Sequence, residues 1–351
     1  MFKLREGLET LKSYSIEEGD WAVKLDANEC ADNLPALVLQ QVAERLAALP
    51  FNRYPEITQY GLRQQIAASL GLTAENVAIG NGSSQLLQAL CYIFGGPGRK
   101  LLFPHPSFSM YSIYAKLADA QPVLVELEPD YSLPPEKVLA AIRREKPHLV
   151  VLCNPNNPTG TVMPLAAVEA VVAGSDCPVV VDEAYCEFHS ESAVGLLAKY
   201  SNLIVARTFS KAYGLASARV GYALASVEIT AALSKVLLPF NINMLSLTAA
   251  SVVFAARDQF AGPIARTVAE RESLAKALAI LPGFQVYPSA TNFLLIKTAA
   301  APELAAGLAA KGICIRDFSK APGLEGCLRV TVGTAAENDA FLAAVRDFGK
   351  K

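Results

Sequence analysis

Charged side chains are scarce in this chain of 351 residues: Asp, Glu, Lys and Arg make up 18% of it, against 52% hydrophobic residues. The 31 basic and 33 acidic residues nearly cancel, to a net charge of −2, and no Lys/Arg block stands anywhere. That excludes the electrostatic footprint of a nucleic-acid binder and the polybasic patch of a membrane anchor. Long apolar runs are missing as well, and none approaches the ~18 residues of a membrane span. The opening residues, Met1 to Glu6, contain no apolar core, so no signal peptide is expected. Histidine is limited to positions 105, 148 and 189, without ligand spacing, and no metal site is expected. The seven cysteines (30, 91, 153, 177, 186, 314, 327) are odd in number and lack CxxC spacing. They read as reduced, mostly buried residues of a cytoplasmic protein.

What the chain does have is apolar sequence broken at regular intervals. This favours a large buried parallel sheet, or apolar surface buried between subunits. Short strands are expected at 76–79, 101–103, 123–127, 148–153, 179–181, 202–206 and 220–224, with helical segments between them. About seven strands with helical crossovers make an open, mainly parallel α/β sheet. Past residue 245 the pattern changes to a long helical stretch (245–281), three strands and a closing helix. The expected division is an arm over 1–32, a large domain over 33–244 and a smaller α+β domain over 245–351.

In open α/β sheets, ligands bind beyond the carboxyl ends of the strands, and the polar clusters of this chain fall there. The run Thr208-Phe209-Ser210-Lys211 follows the strand at 202–206, with Arg219 eight residues past the lysine. If a helix starts there, its dipole disfavours the ammonium form of Lys211 and favours the free amine. A free amine forms a Schiff base with a carbonyl, and Thr208, Ser210 and Arg219 are donor types that hold a phosphate. An aldehyde that carries a phosphate describes pyridoxal phosphate; taken alone, the stretch is equally a polar loop with a surface lysine. Gly82-Ser83-Ser84 opens a helix and suits a phosphate, or is an ordinary turn. A dinucleotide fingerprint is poorly matched there, since Gln85 replaces its third glycine. Asp182 ends a run of three valines, where a carboxylate needs a cationic partner or a proton. A protonated pyridine nitrogen is such a partner, and a capping role is the alternative. Tyr185, Asn157 in the Asn154–Gly160 loop, and Phe108 as a stacking ring complete the set, each also explicable as packing or turn chemistry.

Taken in order, these stretches resemble the fold-type I pyridoxal-phosphate-dependent aminotransferases, and within them the histidinol-phosphate aminotransferase family, over nearly the whole chain. The matching motifs are LDANE (25–29), RYP (53–55), NPNNPTG (154–160), DEAY (182–185), TFSKAYGLASARVGY (208–222), NF (292–293) and LRVTVGT (328–334). The resemblance implies that Lys211 binds the cofactor and shuttles a proton. It implies that Asp182 pairs with the pyridine nitrogen, Tyr185 and Asn157 with the ring hydroxyl, and Phe108 with the ring face. Ser83, Ser84, Thr208, Ser210 and Arg219 would hold the phosphate. Arg329, with Arg316, would bind substrate carboxylate or phosphate, with Tyr14 and Asn28 on the substrate side. Tyr54 would reach the neighbouring subunit's site, contacting cofactor and substrate there, which implies a homodimer. Three departures from the family pattern stand out: Ser84-Gln85 in place of an acidic pair, Phe108 in place of tyrosine, and Cys30-Ala31-Asp32 in place of an Asn-Pro continuation.

The activity so implied is transamination between L-histidinol phosphate and 2-oxoglutarate, giving imidazole-acetol phosphate and glutamate. Aromatic amino-acid transamination and decarboxylation of threonine phosphate on the same fold are the alternatives. The start at Leu25–Glu29 favours the aminotransferase over the decarboxylase. A non-catalytic protein that only binds the cofactor would be signalled by a degenerate lysine or aspartate, and both Lys211 and Asp182 are present.

Overall fold

The computed structural model describes Leu8, Leu11 and residues 19–349. The chain runs through β1 (Val23–Leu25), α1 (Ala36–Ala47) and α2 (Tyr60–Leu70). Next, β2 (Val77–Asn81) leads into α3 (Gly82–Phe94), and β3 (Lys100–His105) into α4 (Met110–Leu117). β4 (Gln121–Glu126) is followed by α5 (Pro135–Glu145), and β5 (Leu149–Cys153) by α6 (Leu165–Ala173). β6 (Val179–Asp182), β7 (Leu203–Thr208) and β8 (Val220–Leu224) complete one sheet, and α7 (Val227–Val236), α8 (Met244–Ala255) and α9 (Ala261–Ala279) follow. The remainder is β9 (Gln285–Val286), β10 (Phe293–Lys297), α10 (Ala301–Ala309), β11 (Ile313–Asp317), β12 (Cys327–Thr331) and α11 (Ala335–Phe348).

The larger sheet has seven strands in the order β2-β8-β7-β6-β5-β3-β4. β8 is antiparallel to both neighbours and the other pairs are parallel. Both faces are buried, which is why these strands read as continuous apolar runs. Val179, Val181 and Val205 join the core on one face, and Val180, Ile204 and Ala206 the core on the other. The smaller sheet runs β1-β11-β12-β10-β9. β1 lies parallel to β11, with Leu25 beside Ile315 and within the small sheet's own core. That pairing carries Ala27 and Asn28, just beyond β1, toward the ends of the large-sheet strands.

The single helical stretch expected over 245–281 is two helices. Pro263 lacks the N–H that would continue a helix from α8, and proline is tolerated only in a first turn, where α9 places it. α8 packs on α1 and α2, and its Ala249, Ala250, Val253 and Phe254 join the core of the large sheet. Residues 244–255 are therefore packed against the core of the large sheet.

Candidate active site

A cavity of about 430 Å³ opens at the carboxyl ends of β5, β6 and β7, where β11 and β12 of the small sheet approach them. Its lining brings together Asn28, Ser83, Ser84, Phe108, Asn157, Asp182, Tyr185, Thr208, Ser210, Lys211, Arg219, Arg316 and Arg329. Of the residues expected at the site, Tyr54 lies outside this cavity, 78% exposed and stacked on Phe240. Tyr14 lies outside the described residues.

Three chemical regions are arranged around the cavity. The first is an anion cradle. Thr208 Oγ1 donates to Ser210 Oγ at 3.0 Å, and Arg219 Nη1 donates to the same oxygen at 3.2 Å. Arg219 takes a left-handed backbone, φ +55°, that non-glycine residues avoid. Its carbonyl accepts from Gly82 N at 2.7 Å, which holds the strained turn against the start of α3. Ser83 and Ser84 therefore sit in the first turn of α3, where free N–H groups and the dipole favour an anion. Gly221 permits the approach: a Cβ there would stand 2.2 Å from Ser83 N and 2.7 Å from Gly82 C. Gln85 turns away, accepting from Asn81 N at 2.7 Å and Asn241 Nδ2 at 3.0 Å, so its departure from the family pattern serves the strand–helix junction.

The second region is the pair Lys211 and Asp182. Lys211 Nζ donates to the Ala27 carbonyl at 2.9 Å. Burial, and next the Arg329 guanidinium, push its amine down to about 7. The helix dipole expected here is absent. Residues 209–219 form turns joining β7 to the antiparallel β8, so the low basicity has desolvation and a neighbouring cation as its causes. Asp182 is 4% exposed, and burial raises its carboxyl to about 6. It forms no ion pair among the described residues. Tyr111 donates to its Oδ2 at 2.6 Å and Ala184 N to its Oδ1 at 3.2 Å.

The third region is the arginine pair. Arg316 and Arg329 are directly opposed across β11 and β12. Arg329 donates through Nη1 to Asn157 Oδ1 at 2.6 Å, and through Nη2 to the Asp26 carbonyl at 2.5 Å. Asn157, expected to pair with the cofactor's ring hydroxyl, here accepts from Arg329. The loop that carries it is pinned by its own side chains: Asn156 donates to Pro106 O, and Asn154 to Met163 O. Asn28 joins the two sheets, with its Nδ2 donating to the Tyr185 hydroxyl at 2.9 Å and its N–H to Thr331 Oγ1 at 2.9 Å.

Residues 22–345 match the model of the class I and II aminotransferases. The chain belongs to this family. Histidinol-phosphate aminotransferase of Caldanaerobacter subterraneus subsp. tengcongensis is 39% identical over 344 residues, covering 98% of each chain. The protein of that name from Thermococcus gammatolerans is 40% identical over 344 residues, 98% of this chain and 97% of its own. Among solved structures, histidinol-phosphate aminotransferase from Sinorhizobium meliloti, in complex with pyridoxal-5'-phosphate, superposes with a TM-score of 0.85 at 29% identity, over 94% of this chain and 92% of that one. L-threonine-O-3-phosphate decarboxylase from Porphyromonas gingivalis gives 0.82 at 25% identity, over 94% and 100%.

Pyridoxal phosphate is the cofactor of this aminotransferase family, and the residues present fit it. A phosphate cradle that one Cβ would fill, a free amine, a buried acid and an aromatic face border one cavity. Tyr111, Tyr114, Phe318 and the Ala27 carbonyl were not anticipated from sequence. Tyr111 had a signal: it follows Phe108 by three residues in an apolar helix, where a phenol needs a buried partner. Ala27 had none, since its contribution is a backbone oxygen placed by strand pairing.

Proposed function

We propose that this aminotransferase transfers the amino group of L-histidinol phosphate to 2-oxoglutarate, giving imidazole-acetol phosphate and glutamate in two half-reactions at one site. Pyridoxal phosphate, when bound, supplies the electron sink that makes the substrate Cα proton labile. Ser83, Ser84, Thr208, Ser210 and Arg219 would hold its phosphate; Asp182 its ring nitrogen; Tyr185 and Asn157 its ring hydroxyl; and Phe108 its face. With an amine near 7, Lys211 is substantially unprotonated at neutral pH. It can therefore take a proton at the substrate Cα and return it one position away.

The observation that carries the choice of substrate is the arginine pair. Arg316 and Arg329 are opposed in register and line the same cavity as Lys211. Two forks at one end of a site suit an anion with several oxygens, the phosphate of one substrate and a carboxylate of the other. Tyr14 and Asn28 are assigned to the substrate side.

The same reading includes a cytoplasmic homodimer. Phe51, Tyr54, Ile57 and Leu238 are 73%, 78%, 57% and 70% exposed, with Tyr54 stacked on Phe240 at 4.5 Å. An apolar patch of this kind marks an interaction surface, and a second copy would bring Tyr54 to the neighbouring cavity. None of the seven cysteines is in a disulfide, which fits a reducing compartment.

A coupled assay for glutamate formation, run with histidinol phosphate, phenylalanine and threonine phosphate in turn, tests the reaction. Histidinol phosphate is expected to give the highest kcat/KM. Faster turnover of phenylalanine, or carbon dioxide release from threonine phosphate, would replace the substrate assignment.

A further inference from the structure

Tyr111 stands in the first turn of α4, 2% exposed, and the reaction above gives it no task. Its hydroxyl donates to Asp182 Oδ2 at 2.6 Å, the short distance of a hydrogen bond to an ionised acceptor. Its ring meets Phe108 edge-on, with centroids 5.5 Å apart and planes at 84°. Phe103 backs the same ring at 5.8 Å. One rigid side chain thus touches two of the residues assigned to the cofactor ring, the acid at its nitrogen and the aromatic at its face.

We infer that Tyr111 is a positioning residue that sets the orientation and charge of Asp182 toward the cofactor's ring nitrogen and holds Phe108 against the ring face. The inference rests on the roles proposed above for Asp182 and Phe108. A carboxylate 4% exposed needs donors. Without the phenol, Asp182 keeps only the longer bond from Ala184 N, 3.2 Å, among the described residues. The other titratable groups around it do not substitute. Glu183, next in sequence, raises the Asp182 carboxyl further. Burial pushes the Cys153 thiol up to about 12 and the Tyr185 phenol upward, so both stay neutral. The hydroxyl of Tyr111 is the group that opposes burial most strongly.

Tyr111→Phe removes the hydroxyl and keeps the ring. Both proteins are loaded with pyridoxal phosphate and the visible band is titrated against pH. Lacking its donor, Asp182 becomes more basic and draws the ring proton toward itself. The midpoint is then expected to rise by about one unit, and kcat to fall about tenfold with KM for both substrates kept within about twofold. In an Asp182→Asn background the same change is expected to add nothing. Replacement of Tyr111 by 3-fluorotyrosine, a stronger donor of nearly equal size, is expected to move the midpoint downward, and serves if Tyr111→Phe fails to fold. Unmoved midpoints, or effects that add to those of Asp182→Asn, overturn the inference and leave cofactor and reaction standing. A wild-type protein that shows no visible band with cofactor overturns the proposed function beneath it.

Discussion

Arg316 and Arg329 face each other across adjacent antiparallel strands, and both guanidinium groups lie near the ring of Phe318, at 5.9 and 5.6 Å. Like charges directly opposed cost stability. The aromatic face offsets part of that cost. Lys211 feels the same field, since the Arg329 guanidinium is the second cause of its lowered basicity after burial. Arg329 and Lys211 are electrostatically linked.

Removing one fork separates the two substrates. Arg316→Ala is expected to raise KM for histidinol phosphate about tenfold or more and KM for glutamate less, because a phosphate offers a third oxygen to the second arginine. Arg329→Lys, which loses the fork and keeps the charge, is expected to weaken both. Steady-state kinetics with each donor decide this. An unchanged KM for histidinol phosphate in Arg316→Ala sinks the two-arginine clamp.

Much of this arrangement could be read in the sequence because apolar strands ending in polar clusters mark where a parallel sheet presents its ligands. Asp182 after three valines and Arg219 beyond Lys211 are of that kind. Other features depend on tertiary pairing. Ala27 meets Lys211 because β1 joins β11 of the small sheet. The helix dipole expected at Lys211 gave way to a turn because β8 returns antiparallel beside β7. α8 joined the large core because an all-round apolar helix has no face that names its neighbour.

Dimerisation is testable away from the site. Leu238 is 70% exposed and does not line the cavity. Leu238→Asp is expected to shift the sedimentation coefficient from dimer to monomer and to reduce kcat at least tenfold, while leaving the monomer folded by circular dichroism. Full activity in a demonstrated monomer would contradict a contribution of Tyr54 to a neighbouring cavity.

Lys211 should cost stability in the protein without cofactor. Its folded value of about 7 lies below the ordinary lysine value of 10.5. The unfolded chain therefore binds the proton more tightly, and stability rises as pH goes from about 7 to about 10.5. Lys211→Met is expected to melt a few degrees above wild type at pH 6, with the gap narrowing toward pH 10. Thermal melts at both pH values check this, and a constant gap argues against a buried amine.

Glu187 has the opposite sign of linkage. Burial raises it from 4.5 to about 7, against the pull of Arg207, and its Oε1 has no hydrogen-bond partner among the described residues. The folded state holds this proton more tightly, so stability is lost as pH rises from about 4.5 through about 7. Glu187→Gln is expected to match wild type near pH 4.5 and to melt higher at pH 8. A wild type more stable than the variant at pH 8 would show that Glu187 is ionised and usefully paired.

The visible absorption spectrum of the cofactor-loaded protein, before and after histidinol phosphate is added, tests the central claim most directly. The expected result is a band characteristic of lysine-bound pyridoxal phosphate, absent in Lys211→Ala, which histidinol phosphate converts to the pyridoxamine form and 2-oxoglutarate restores. A protein that shows no such band with cofactor present, or one whose band persists in Lys211→Ala, would contradict the account.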